Sequence, residues 1–105
     1  MLLAIDIGNS NIVLGGIDEG AIVFEARIAT DHIKTSDQYG MEIRNMLEFF
    51  HVDLDTVEDC IISSVVPPVF NAVHTGIIKL TGRKPMVVGP GIKTGLNIHM
   101  DDPAS

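Results

Sequence analysis

The sequence predicts an α/β domain with a mixed sheet, built in the order strand, strand, strand, helix, strand, helix, strand. Two patterns lead there. Residues 2–28 are apolar runs separated by tight polar turns, as in an antiparallel meander. From residue 35 onward, two segments with apolar residues at helical spacing alternate with two short apolar runs, as in strands joined by crossover helices. The size agrees: 105 residues, 46% of them hydrophobic, are enough for one domain with a real core.

The elements follow in order. Leu2–Ile5 is continuously apolar, which suits a strand buried on both faces, and Asp6 falls where that strand should emerge. A second strand runs over about Ile12–Ile17, where Gly15-Gly16 suggests a bulge or a close neighbour. Asp18-Glu19-Gly20 turns the chain, with Gly20 able to take positive φ. In the third strand, about Ala21–Ile28, Ile22, Phe24, Ala26 and Ile28 should share one face, with Val23, Glu25 and Arg27 on the other. Thr35 and Gln38 have capping-box spacing for a first helix, whose buried face would be Tyr39, Ile43, Met46, Leu47 and Phe50 and whose end should lie near His51. Gly40 is a weak point in that helix, costing about 1 kcal/mol relative to alanine. An acidic connection, 52–57, leads to a central strand, Asp59–Ser64. Pro67-Pro68 opens a second helix, with Val69 or Phe70, Val73, Ile77 and Leu80 buried and Gly82 at its C-terminal end. Pro85–Val88 is a short fifth strand, Gly89-Pro90-Gly91 a sharp turn, and 92–105 irregular.

Composition narrows the function. A net charge of −7 opposes nonspecific nucleic-acid binding, which needs a basic surface, but leaves nucleotide binding open, since backbone amides and a metal can hold phosphate. No apolar run reaches membrane-spanning length, and the apolar start lacks a basic leader, so neither a membrane span nor a signal peptide is expected. Cys60 alone excludes an internal disulfide and reads as a buried, inert thiol. These features fit a cytoplasmic protein. His32, His51, His74 and His99 have no zinc-like spacing. Lys93-Thr94 lacks the upstream glycine spacing of a phosphate-binding P-loop.

The stretch richest in chemistry is Asp6-Ile7-Gly8-Asn9-Ser10-Asn11, leading into Ile12-Val13. A hairpin tip of this composition suits a nucleotide phosphate. N–H groups of backbone and side chain can meet phosphate oxygens, Gly8 allows close backbone approach, and the Asp6 carboxylate can hold a hydrated Mg²⁺. An ordinary polar hairpin turn would also use these residues. Ser63 and Ser64 end a central strand, a place where ligand sites of α/β sheets cluster, though serines there equally satisfy backbone groups.

The motif resembles the first phosphate motif of the type III pantothenate kinases, of the acetate kinase–sugar kinase–heat-shock–actin superfamily. Three further segments resemble the same family in the same order: Arg27–Asp31 with Thr35–Gly40, Ile62–Pro68, and Val87–Leu96. The resemblance implies a ribonuclease H-like (actin-like ATPase) lobe, here the N-terminal one of a two-lobe kinase, with the second lobe absent from residues 1–105. It implies ATP-dependent phosphorylation of pantothenate in coenzyme A synthesis. ATP would be held by Asp6, Ile7, Gly8, Asn9, Ser10, Asn11, Ile12 and Val13, with Mg²⁺ at Asp6 through water. A monovalent cation, K⁺ or NH₄⁺, and a homodimer are implied for the full-length enzyme.

Two departures from the family pattern bear on activity. The sequence ends before the family's Gly-Ala-Asp-Arg motif, which carries the aspartate taken as general base, so residues 1–105 should be inactive alone and bind ATP weakly. Where the family usually has a tyrosine that contacts pantothenate, this chain has Met100, which cannot donate that hydrogen bond. The competing reading is a noncatalytic accessory transcriptional regulator or protein-interaction module of the same family.

Overall fold

The computed structural model describes residues 1–64 and 66–88. The chain forms β1 (Leu2–Ile7), β2 (Asn11–Asp18), β3 (Ala21–Ala29), α1 (Ser36–Phe49), β4 (Asp59–Ser64), α2 (Pro67–Thr81) and β5 (Met86–Val88), with one 3-10 turn at Leu54–Thr56. The five strands make one sheet in the order β3-β2-β1-β4-β5. β2 runs antiparallel to β1 and β3, whereas β1, β4 and β5 are parallel. This is the mixed α/β arrangement expected of a ribonuclease H-like lobe.

Both crossovers step along the sheet in the same direction, from β3 past β1 to β4 and from β4 to β5. Right-handed crossovers then require both helices on the same face. The core agrees. Leu3, Ile5 and Ile7 of β1, Ile12 and Leu14 of β2 and Ile62 of β4 share one cluster with Tyr39, Ile43 and Leu47 of α1 and Val69, Val73 and Ile77 of α2. On the opposite face Ala4 and Val13 form a small second cluster with Ile17. Burial on both faces is why β1 is continuously apolar until Asp6.

The ends of the helices match the sequence signals. Gln38 N–H donates to Thr35 Oγ1 and Thr35 N–H to Gln38 Oε1, closing the capping box. Gly82 ends α2 with φ 75° and its N–H donates to the Ile78 carbonyl at 2.8 Å. Cys60 is buried, and desolvation, with Asp59 adjacent, pushes its thiol up to about 12.

Four expectations need adjustment. Ile22 does not share the face of Phe24: it is substantially exposed. The register slips between Gly16 and Ile17, so Val23 is an extra residue and Ile22 pairs with Ile17 of the opposite face. The suspected bulge and close neighbour at Gly15-Gly16 are thus both present, for a Cβ on Gly16 would run into the Phe24 ring. At the β2–β3 turn Glu19 as well as Gly20 has positive φ, 53° and 79°, the twist a two-residue hairpin needs. Helix α1 ends at Phe49 with its cap at Phe50, near His51 as expected, but Phe50 is exposed rather than on the buried face, at the helix margin against Phe24 and Phe49. Finally, Gly40 is a contact point between helices: a Cβ there would lie 3.2 Å from the Gly76 carbonyl oxygen, and one on Gly76 only 2.7 Å from that of Ser36. The Gly89-Pro90-Gly91 turn, the stretch 92–105 and the residues Lys93, Thr94, His99 and Met100 lie outside the described residues.

Candidate functional site

The chemistry-bearing residues of the first motif collect where β1 and β4 end side by side. Parallel neighbours finish at the same edge of a sheet, and that edge is where open α/β sheets receive ligands. Between β1 and β2 the chain turns over Gly8-Asn9-Ser10, closed by Gly8 N–H donating to the Asn11 carbonyl at 2.9 Å. Gly8 is buried, Asn9 and Ser10 are exposed, and Asn11 is half-buried. Gly8 is not among the glycines with positive φ, so no left-handed backbone calls for glycine there.

Asp6 is half-buried and belongs to the face away from the helices, since it alternates with the core residues Ile5 and Ile7. Its neighbours across the sheet are Val13 and Ser63, both buried, and Asp6 and Ser63 are each engaged in interactions of their own. Ser64 serves the backbone: its Oγ accepts from Val66 N–H at 3.0 Å. Ile7 and Ile12 point into the core with no exposed surface, and Val13 is 3% exposed. All three could therefore offer a ligand only their main chain. Asp6, Gly8, Asn9, Ser10 and Asn11 are brought together; Met100 lies outside the described residues.

Sequence reading missed the residues that hold this turn from behind. Thr30, just past β3, donates its hydroxyl to the Gly8 carbonyl at 2.8 Å and its N–H to the Ser10 carbonyl at 3.0 Å. The next residue, Asp31, is fixed to Tyr39: its N–H donates to the Tyr39 hydroxyl at 2.9 Å, and that hydroxyl donates to the Asp31 carbonyl at 2.6 Å. Tyr39 is the chain's single tyrosine and is completely buried. Lys34 sits over the Tyr39 ring and bonds Glu42 at 2.7 Å, a hydrogen bond that raises the ammonium above its usual value. A buried tyrosine paired with a polar residue at a strand end was the available signal, but nothing local tied it to the turn at Gly8.

Fold and site together define a mixed α/β domain with two helices on a five-stranded sheet and a polar turn and a carboxylate at the ends of its parallel strands. The family model described as type III pantothenate kinase matches residues 2–105, and the chain belongs to that family. The type III pantothenate kinase of Bifidobacterium animalis subsp. lactis is 50% identical over 105 residues, covering 100% of this chain and 42% of the relative. That of Bifidobacterium longum subsp. infantis is 48% identical over 103 residues, covering 98% and 40%, and that of an Exiguobacterium species 46% over 103 residues, covering 98% and 41%. The chain thus spans about 40% of the length of these relatives. Among solved structures, an Aquifex aeolicus member of the Ppx/GppA family aligns with TM-score 0.44 at 18% identity, covering 85% of this chain and 35% of that one.

Proposed function

We propose that this chain is the N-terminal, nucleotide-phosphate-binding lobe of a type III pantothenate kinase, an enzyme that moves the terminal phosphoryl group of ATP to the primary hydroxyl of pantothenate. The observation that carries the reading is the Gly8–Asn11 turn, set at the end of β1 next to Asp6 and in a chain that matches the family from residue 2 to 105. The donor set fits the ligand. The N–H groups of Asn9 and Ser10 make no hydrogen bond to another described residue, and Asn9, Ser10 and Asn11 carry short polar side chains. Magnesium, when bound with ATP, supplies charge neutralisation of the triphosphate, and Asp6 would hold it through water.

Phosphoryl transfer rests on positioning and charge compensation, and this lobe contributes only one side of both. In this reading the general base, the pantothenate site and the K⁺ or NH₄⁺ site come from the part of the family protein that this chain does not span. The parent enzyme works in the cytoplasm as a homodimer. No described helix is long and apolar enough to cross a membrane, and the net charge of −7 argues against nucleic acid as a partner. No observation favours the noncatalytic regulator.

The test is titration of Mg·ATP into the ¹⁵N-labelled chain, followed through its amide resonances. Saturable shifts at Asn9, Ser10 and Asn11 are expected. Asp6→Ala should weaken binding about tenfold or more, the scale of one charge-assisted interaction. A wild-type chain whose amides stay put at millimolar Mg·ATP would overturn the reading.

A further inference from the structure

We infer that Thr30 is a positioning residue for the phosphate turn, aiming its amides at the ligand, and that Tyr39 in turn holds Thr30 in place. The inference rests on the phosphate-binding reading above and deepens it. A trans peptide is planar, with its C=O and N–H pointing in opposite directions. Thr30 takes the carbonyls of Gly8 and Ser10, through its hydroxyl and its N–H. Those two peptide units therefore have their oxygens drawn toward the end of β3. The N–H groups on their far sides, belonging to Asn9 and Asn11, are turned the other way, away from Thr30.

The consequence is electrostatic. A loop whose carbonyls faced the ligand would repel phosphate oxygens; one whose carbonyls are held from behind presents N–H donors instead. The hydroxyl bond to the Gly8 carbonyl is the decisive one, because the N–H bond to the Ser10 carbonyl continues the β2–β3 pairing that Asn11 and Ala29 begin. Thr30 can do this only if its own backbone is fixed. Asp31 supplies that fixing, with both its N–H and its carbonyl bonded to the fully buried Tyr39 hydroxyl. Helix α1 is thus connected to the turn through Tyr39, Asp31 and Thr30.

The experiment compares Thr30→Val, which keeps shape and loses the hydroxyl, with Thr30→Ser, which keeps the hydroxyl. Both are made in the full chain and read by Mg·ATP titration and by hydrogen exchange of the Gly8 amide. Thr30→Val should raise the Kd for Mg·ATP about tenfold, the upper end of one neutral hydrogen bond, and speed exchange at Gly8. Thr30→Ser should stay within about threefold of wild type, since the same donor remains. Ile43→Val, a core truncation away from the turn, is the stability control and should lower the melting temperature with the Kd unchanged. If the valine variant does not fold, Thr30→Ala gives the same comparison.

Thr30→Val binding like wild type, while Asp6→Ala does not, would overturn the positioning role and leave the phosphate reading standing. So would a serine variant as weak as the valine one, or an Ile43→Val chain that loses affinity equally. Absence of binding by wild type would overturn the phosphate reading itself, and the positioning role with it.

Discussion

Replacing Gly76 by alanine tests whether the two helices touch backbone to backbone. Gly76 and Gly40 mark the crossing of α1 and α2. A methyl group on Gly76 would sit 2.7 Å from the Ser36 carbonyl oxygen and 3.0 Å from the Gly40 nitrogen. Both are main-chain atoms inside or capping a helix, so relief requires the helices to part. Parting them strips contacts from Tyr39, Ile43, Val73 and Ile77, which lie between the helices and the sheet. Opposing this, alanine gains about 1 kcal/mol over glycine within a helix. Overpacking a close contact costs about 1–3 kcal/mol, and a backbone clash belongs near the top of that range. The net expectation is a loss of about 1–2 kcal/mol, or a melting temperature lower by about 5–10 °C for a domain of this size. Gly40→Ala is the internal comparison. Its nearest atom is the Gly76 carbonyl oxygen at 3.2 Å, which a shift of a few tenths of an ångström relieves. There the helix-propensity gain and the packing cost nearly cancel, so a change within about 0.5 kcal/mol is expected. Urea unfolding followed by circular dichroism measures both. A Gly76→Ala chain as stable as wild type, or less affected than Gly40→Ala, would refute the close crossing.

Two further outcomes follow from the structure. Cys60 is protonated in the folded chain up to about pH 12 against an ordinary 9.0. A folded pKa raised above the unfolded one contributes stability that is fully present below about pH 9 and lost as pH rises toward 12. The unfolding free energy of wild type should therefore fall over that window more steeply than that of Cys60→Ala, and equal slopes would contradict the burial. At the β2–β3 turn, Glu19 holds φ at 53° without being glycine. Glu19→Asn should raise stability by about 0.5–1 kcal/mol, because asparagine tolerates the left-handed region and suits this hairpin turn. A neutral or destabilising result in urea unfolding would mean the turn is not strained there.

What could be read without coordinates was whatever rests on short-range chemistry. The order of strands and helices, the capping box at Thr35 and Gln38, the left-handed Gly82, the bulge near Gly16 and the buried Cys60 all follow from a residue and its near neighbours. The motif Asp6–Asn11 was legible for the same reason: its carboxylate, glycine and short amides are contiguous, and β1 delivers them to one edge. Tertiary structure decided the rest. A single extra residue at Val23 turned Ile22 to the other face, a slip that alternation alone does not reveal. Gly40 looked like a flaw in a helix until Gly76, far along the chain, supplied the backbone that needed its missing side chain. Thr30 and Tyr39 are ordinary in sequence. They become the support of the turn because β3 returns beside β2 and α1 folds back over the sheet. Propensity, capping and turn preference act over a few residues, whereas close approach and hydrogen bonding across the sheet depend on which segments the fold makes neighbours.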